Sequence, residues 1–267
     1  EWRVRQTTEL HGTQDKTADD GTTIIHRVDE QPEEEYWPVY KGASFDIWTP
    51  DTGTYYGWSD PEVVLPYIQK SRENSYRYAG SRSPFSEMGE DWVKNSDTLT
   101  CKRPRVAYRE VTNRTNHKAP FFLQPRGDER DESYLLGVMS SIPFDWYARR
   151  FVEVTVSFYL INAFPVPRPG RDNPLRQRIV ELSGRLAAVD DRYADWADEV
   201  GVNYGPLDED EKQEKIYEID AVVAHLYGLS REHVEVLFET FHDGWDYEER
   251  LDRVLDYYAS WADKLDL

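Results

Sequence analysis

The chain has 267 residues, with 51 Asp or Glu against 32 Lys or Arg, a formal charge of −19. No apolar run approaches the roughly 18–20 residues that span a bilayer, which excludes a membrane-spanning helix and implies no membrane partner. A single cysteine, Cys101, excludes a disulfide framework and any zinc site built on several thiolates; it suits a reducing, cytoplasmic compartment. By sign alone the charge argues against a polyanion-binding protein.

Aromatic residues make up 14%, including 9 Trp, so the chain has ample apolar area to bury and is not disordered. A chain this long buries roughly three quarters of its unfolded surface, in one large domain or two smaller ones. The sequence begins at Glu1 and runs directly into polar residues, with no signal-peptide pattern. Together with the missing catalytic motifs described below, this reads as a piece of a longer protein.

Residues 1–35 are polar and acidic, with Thr23–Val28 as an edge-strand candidate. From Tyr36 to Trp58, aromatic residues alternate with Gly and Pro, the composition of strands joined by tight turns. Asp60 and Pro61 offer an N-cap and a first-turn proline for a helix to about Lys70, with Pro66 able to shorten it. Residues 71–100 read as a long polar loop, in which Arg72, Arg77 and Arg82 interleave with Tyr76 and Tyr78, a basic–aromatic stretch that reads either as a groove reader or as a plain surface loop.

Pro104–Val111 reads as a strand, with Val106 and Tyr108 on one face and Arg105, Ala107 and Arg109 on the other. Leu135–Val152 reads as mostly helical with a break around Pro143, and Val154–Ala163 returns to β-type composition. The stiff Pro165–Gly170 linker marks the expected boundary.

Beyond it, Asn173 and Pro174 start an amphipathic helix whose apolar positions run from Leu175 to Trp196. Asp208 opens a second helix, stopped by Gly228, and Ser230 opens a third. Asp246 and Glu249 form a capping-box pattern for the last. The expected fold class is α+β: a β-rich mixed subdomain over 1–168, then a helical subdomain over 169–267.

Several chemistries are missing. There is no Gly-rich phosphate or dinucleotide loop, no Gly-x-Ser-x-Gly elbow, and no His pair at metal-ligand spacing. His225 and His233 read as packing or surface residues. Glu211-Lys212 and Glu214-Lys215 read as a solvated helix face rather than a nuclease centre. No catalytic residue, metal ligand or cofactor site is assigned.

Four stretches carry a resemblance. They are Pro38-Val39-Tyr40-Lys41-Gly42-Ala43-Ser44-Phe45, Arg105-Val106-Ala107-Tyr108-Arg109-Glu110-Val111-Thr112-Asn113-Arg114-Thr115-Asn116, Tyr134–Ser141 with Phe144–Arg150 and Phe164–Pro167, and Ile219–Leu229. In this order they resemble the target-recognition region of class II (Eco57I/TaqI-like) restriction–modification DNA adenine methyltransferases. The family's usual Asn in the third stretch is Ser140 here.

The resemblance implies a sequence-specific reader of double-stranded DNA. It would work with an upstream methyltransferase domain of the same polypeptide, which binds S-adenosylmethionine and flips the target adenine out of the duplex. Neither the S-adenosylmethionine loop nor the Asn-Pro-Pro-aromatic motif of that domain is in this chain. Whether the parent enzyme also cuts DNA stays open. A role in phage defence goes with the family.

Reading DNA requires Arg or Lys for guanine edges, Asn or Gln for adenine edges, and hydroxyls and cations for phosphates. The richest supply is Arg103, Arg105, Tyr108, Arg109, Thr112, Asn113, Arg114, Thr115, Asn116 and Lys118. From Lys102 to Lys118 six basic residues stand against one acid, Glu110, a net of +5. The other reading is an Arg-rich strand that salt-bridges to the acidic surface. Arg149 and Arg150 are a second candidate, or a helix-end pair binding carboxylates. Lys41 is a possible backbone contact.

The acid excess is combined with 23 Arg and only 9 Lys. This resembles proteins of salt-loving archaea, where about 1 M salt shortens the Debye length to about 3 Å. Screening of that kind would leave short-range base contacts to supply more of the binding. The competing function is a helical module that docks on other proteins of a defence complex without touching DNA.

Overall fold

The computed structural model describes residues 17, 21–80, 83, 85–108, 127–152, 156 and 158–265. The chain divides into two compact units, Glu1–Arg126 with Val154–Asn162, and Gly127–Glu153 with Ala163–Leu267. It is a mixed, helix-dominated α+β protein. The chain passes from one unit to the other after Arg126, Glu153 and Asn162, the last shortly before the Pro165–Gly170 linker. That linker lies inside the second unit, where the Tyr134 and Tyr227 hydroxyls each hold one of its carbonyls, at Pro167 and Pro165.

The first unit carries less β structure among the described residues than its composition led one to expect. A two-stranded antiparallel ribbon pairs β1 (Trp37–Val39) with β2 (Gly57–Ser59), placing Pro38 opposite Trp58. The other side of Trp58 pairs with His26 through two backbone hydrogen bonds of 2.7 and 2.9 Å. A Cβ on Gly57 would meet the His26 carbonyl at 2.5 Å, so this approach requires glycine.

Asp60 caps α1 (Pro61–Ala79) as its sequence foretells, but the helix continues past Lys70. Pro66 lies on its exposed side. The buried stripe Val64, Ile68, Arg72 explains the extension. The Arg72 guanidinium donates to the Thr98 hydroxyl and carbonyl and lies over the rings of Trp92 (4.8 Å) and Phe85 (5.5 Å). Arg72 is therefore an internal tie and not a groove reader.

The expected loop at 71–100 is thus largely helix and short turns, including α2 (Glu90–Lys94) and 3-10 turns at Ser96–Thr98 and Thr100–Lys102. Ile24, Ile25, Val64, Ile68 and Leu99 form the core of this unit.

The second unit begins with α3 (Glu129–Met139), opened by an Asp128–Asp131 capping box, and α4 (Ile142–Arg149), capped by Ser141. The break at Ser140-Ser141 is the one expected near Pro143. The segment expected as β at 154–163, which up to Asn162 belongs to the first unit, contains α5 (Phe158–Ala163), a case of composition overridden by context. Next come α6 (Pro174–Ala187), α7 (Ala194–Val200), α8 (Glu209–Leu226), α9 (Arg231–Glu239) and α10 (Glu248–Lys264).

The long amphipathic helix expected through Trp196 is broken after Ala187. The Ala188 carbonyl accepts from Gly205 N–H instead of continuing the helix, and Asp190 caps a new 3-10 turn. Asp246 does not cap α10, whose N-cap position is Tyr247.

Buried residues run without interruption from Glu218 to Ala224 in α8, the mark of a central helix. It packs on α10, α6, α4 and α3. Ile142, Ala221, Ala224, Val234, Phe238, Val254 and Leu255 form one core cluster around it.

Candidate nucleic-acid interface

Lys41 opens a loop that its own polar side chains brace. Its N–H donates to Ser44 Oγ (2.7 Å), and that buried hydroxyl donates to the Thr54 carbonyl (2.6 Å). The Thr52 hydroxyl donates to the Ala43 carbonyl (2.7 Å), and the Tyr55 hydroxyl to the Asp51 carboxylate. Tyr40 is half-buried, with its ring 5.6 Å from that of Tyr55.

At the tip, Asp46 and Thr49 exchange both backbone hydrogen bonds around Ile47 and Trp48. Trp48 has φ 54°, in a turn position usually given to glycine. Holding a bulky residue there costs about 1–3 kcal/mol.

Arg103, Arg105 and Tyr108 follow Leu99, a fully buried member of the first core. Arg103 is exposed, Arg105 and Tyr108 are half-buried, and Val106 between them is buried. Lys102 reaches Asp97 at 3.2 Å, an exposed pair of the kind the salt-bridge reading expected. Arg109, Thr112, Asn113, Arg114, Thr115, Asn116 and Lys118 lie outside the described residues, as does Arg82.

Arg149 and Arg150 end α4 in the second unit. Arg149 pairs with Asp145 (3.0 Å) and covers the Phe241 ring at 4.3 Å. This exposed pair is the carboxylate contact that the helix-end reading describes. Arg150 is exposed over Trp146 (4.9 Å), whose indole N–H donates to Thr240 (2.9 Å). Beside it Phe151 is 52% exposed. The candidate residues thus fall on both units, with Lys41 and Arg103–Tyr108 on the first and the α4 pair on the second.

The third and fourth resembling stretches meet inside the second unit. Asp220 accepts the Ile142 N–H (2.8 Å) at the start of α4 and is paired with Arg250. Burial pushes the Asp220 carboxyl above its ordinary value, while Arg250 and the Ile142 N–H oppose the rise. Tyr134 and Tyr227 both hold the Pro165–Pro167 segment, and burial pushes the Tyr134 phenol up to about 12. Gly137 lets α3 and α6 touch, since a Cβ there would lie 2.5 Å from Ile179 Cγ2. These residues build scaffold.

The remaining sequence candidates are also structural. The Glu214 carboxylate takes Arg253 and Tyr257, and Lys215 pairs with Glu211. His225 stacks on Tyr258 at 3.9 Å, and His233 closes a capping box with Ser230. Among the described residues no group of three or more His, Cys, Asp or Glu is placed to hold a metal, and no helix is long and apolar enough to cross a membrane.

Charge separates by unit. The first has 17 basic and 20 acidic side chains, a net of −3, and contains the whole +5 stretch. The second has 15 basic and 31 acidic, a net of −16. The boundary expected from sequence, after residue 168, already separates the charge in the same sense, with nets of −5 and −14. Sequence reading misses the Ile47 tip, for which no local residue signal exists.

No protein-family model, curated protein or solved structure gives a significant match to the chain.

Proposed function

We propose that this chain is the sequence-specific double-stranded DNA recognition region of a restriction–modification adenine methyltransferase, with the first unit as the reader. The supporting observation is the charge partition: the net +5 stretch of Lys102–Lys118 belongs to the unit that totals −3, against −16 in the other. In this reading S-adenosylmethionine and the flipped adenine belong to a separate methyltransferase domain. The second unit is its rigid, acidic support. The work is cytoplasmic, and the binding depends on short-range base contacts more than on net charge.

The test is a titration of the chain with labelled duplex, selected by the wild type from a random-sequence pool, at several salt concentrations. Arg105→Ala and Arg114→Ala are expected to weaken binding by about 1–3 kcal/mol each. Arg178→Ala, whose guanidinium is committed to Glu218 and Glu181, is expected to leave DNA affinity unchanged. Equal affinities for the wild type and both reader variants would sink the proposal.

A second reading, protein docking by the helical unit, is favoured by the exposed Arg150 and Phe151 at the end of α4. It predicts that Arg150→Glu abolishes association with the methyltransferase domain while leaving DNA binding intact.

A further inference from the structure

We infer that Ile47 is an apolar wedge that enters the base stack of bound duplex DNA. The inference rests on the DNA-recognition reading and adds how the first unit would deform its ligand. Ile47 is 59% exposed, the most exposed aliphatic side chain among the described residues.

A lone exposed isoleucine is ordinary on a protein surface; here, however, the backbone is built to present it. The two hydrogen bonds between Asp46 and Thr49 fix a two-residue tip, and Ile47 N–H is capped by Asp46 Oδ1 at 2.8 Å. Trp48, at φ 54°, is only 7% exposed. The strained conformation buries the indole and leaves the isoleucine as the outward residue of the pair.

The chemistry of the tip fits a stacked base step. Ile47 is β-branched and stiff at χ1, so it loses little freedom on insertion. The nearby acids are engaged within the loop: Asp46 by Ile47 N–H, and Asp51 by Gly53 N–H and the Tyr55 hydroxyl. Lys41 begins the same braced loop and supplies a cation for the backbone. Apolar side chains of this kind kink DNA by partly unstacking a step, and a neighbouring base is then easier to flip.

The experiment uses the full chain and the duplex selected by the wild type, with 2-aminopurine replacing each adenine in turn. Wild-type binding is expected to brighten 2-aminopurine at one step. Ile47→Ala is expected to abolish the brightening and weaken binding about tenfold, while Ile47→Leu keeps both. Because Ile47 is exposed, neither change should unfold the loop. If the wild type binds but no position brightens, or if Ile47→Ala brightens equally, the wedge is overturned and DNA recognition stands. If the wild type selects no duplex, both ideas fall together.

Discussion

In the helical unit Arg178 donates to Glu218, Arg250 to Asp220 and Arg253 to Glu214, tying α6 and α10 onto α8. Arg171 and Arg176 both close on Asp131. In the first unit the buried arginine, Arg72, is held by a hydroxyl, a carbonyl and two aromatic rings, while the local excess of cations gathers at 102–118. The two units thus carry similar numbers of cations, 17 and 15, against 20 and 31 acids. A unit of net −16 uses several arginines to hold its carboxylates together, whereas a unit of net −3 can concentrate its cations in one stretch. The total charge of −19 conceals this difference.

The comparison can be broken most severely at Asp220. Asp220→Ala leaves Arg250 and the Ile142 N–H facing an empty buried site, and is expected to cost about 3–5 kcal/mol in a denaturant titration. A loss below about 1 kcal/mol would mean that the ionic ties are decorative.

Next comes Gly137→Ala, expected to cost about 1–3 kcal/mol by forcing α3 away from α6. Its thermal midpoint checks this, and an unchanged value would show that the contact gives way freely.

An effect close in size to the second is alkaline. The Tyr134 phenol has an ordinary pKa of 10 and a folded value of about 12. Its contribution is present in full below pH 10 and is lost as pH rises through about 12, a change of about 2 kcal/mol. Tyr134→Phe is expected to flatten that part of the stability–pH profile. A slope identical to wild type would place the alkaline sensitivity elsewhere.

Local chemistry made several helix starts legible in both units. Asp60, Asn173, Asp208 and Ser230 all cap helices, and Gly228 at φ 65° follows the end of α8. These signals act within one turn and are readable without the rest of the chain. Where distant groups intervened, the sequence misled. Thr98 and Trp92 carried α1 past Lys70, Gly205 took the carbonyl that would have extended α6, and α5 formed in a stretch of β-type composition. Within the candidate interface, composition picked out the cationic stretch but could not show that, of the two exposed arginines ending α4, Arg149 pairs with Asp145 while Arg150 lies over Trp146.

The sequence by itself determined the acidic character, the starts of α1, α6, α8 and α9, and the concentration of cations between Lys102 and Lys118. Each depends on residue identity or on neighbours within a few positions. Tertiary structure alone decided where the units divide, which arginines are consumed by carboxylates, and that Ile47 faces outward beside a buried Trp48. Those outcomes depend on hydrogen bonds and packing between residues far apart in the chain, whose pairing no local pattern encodes.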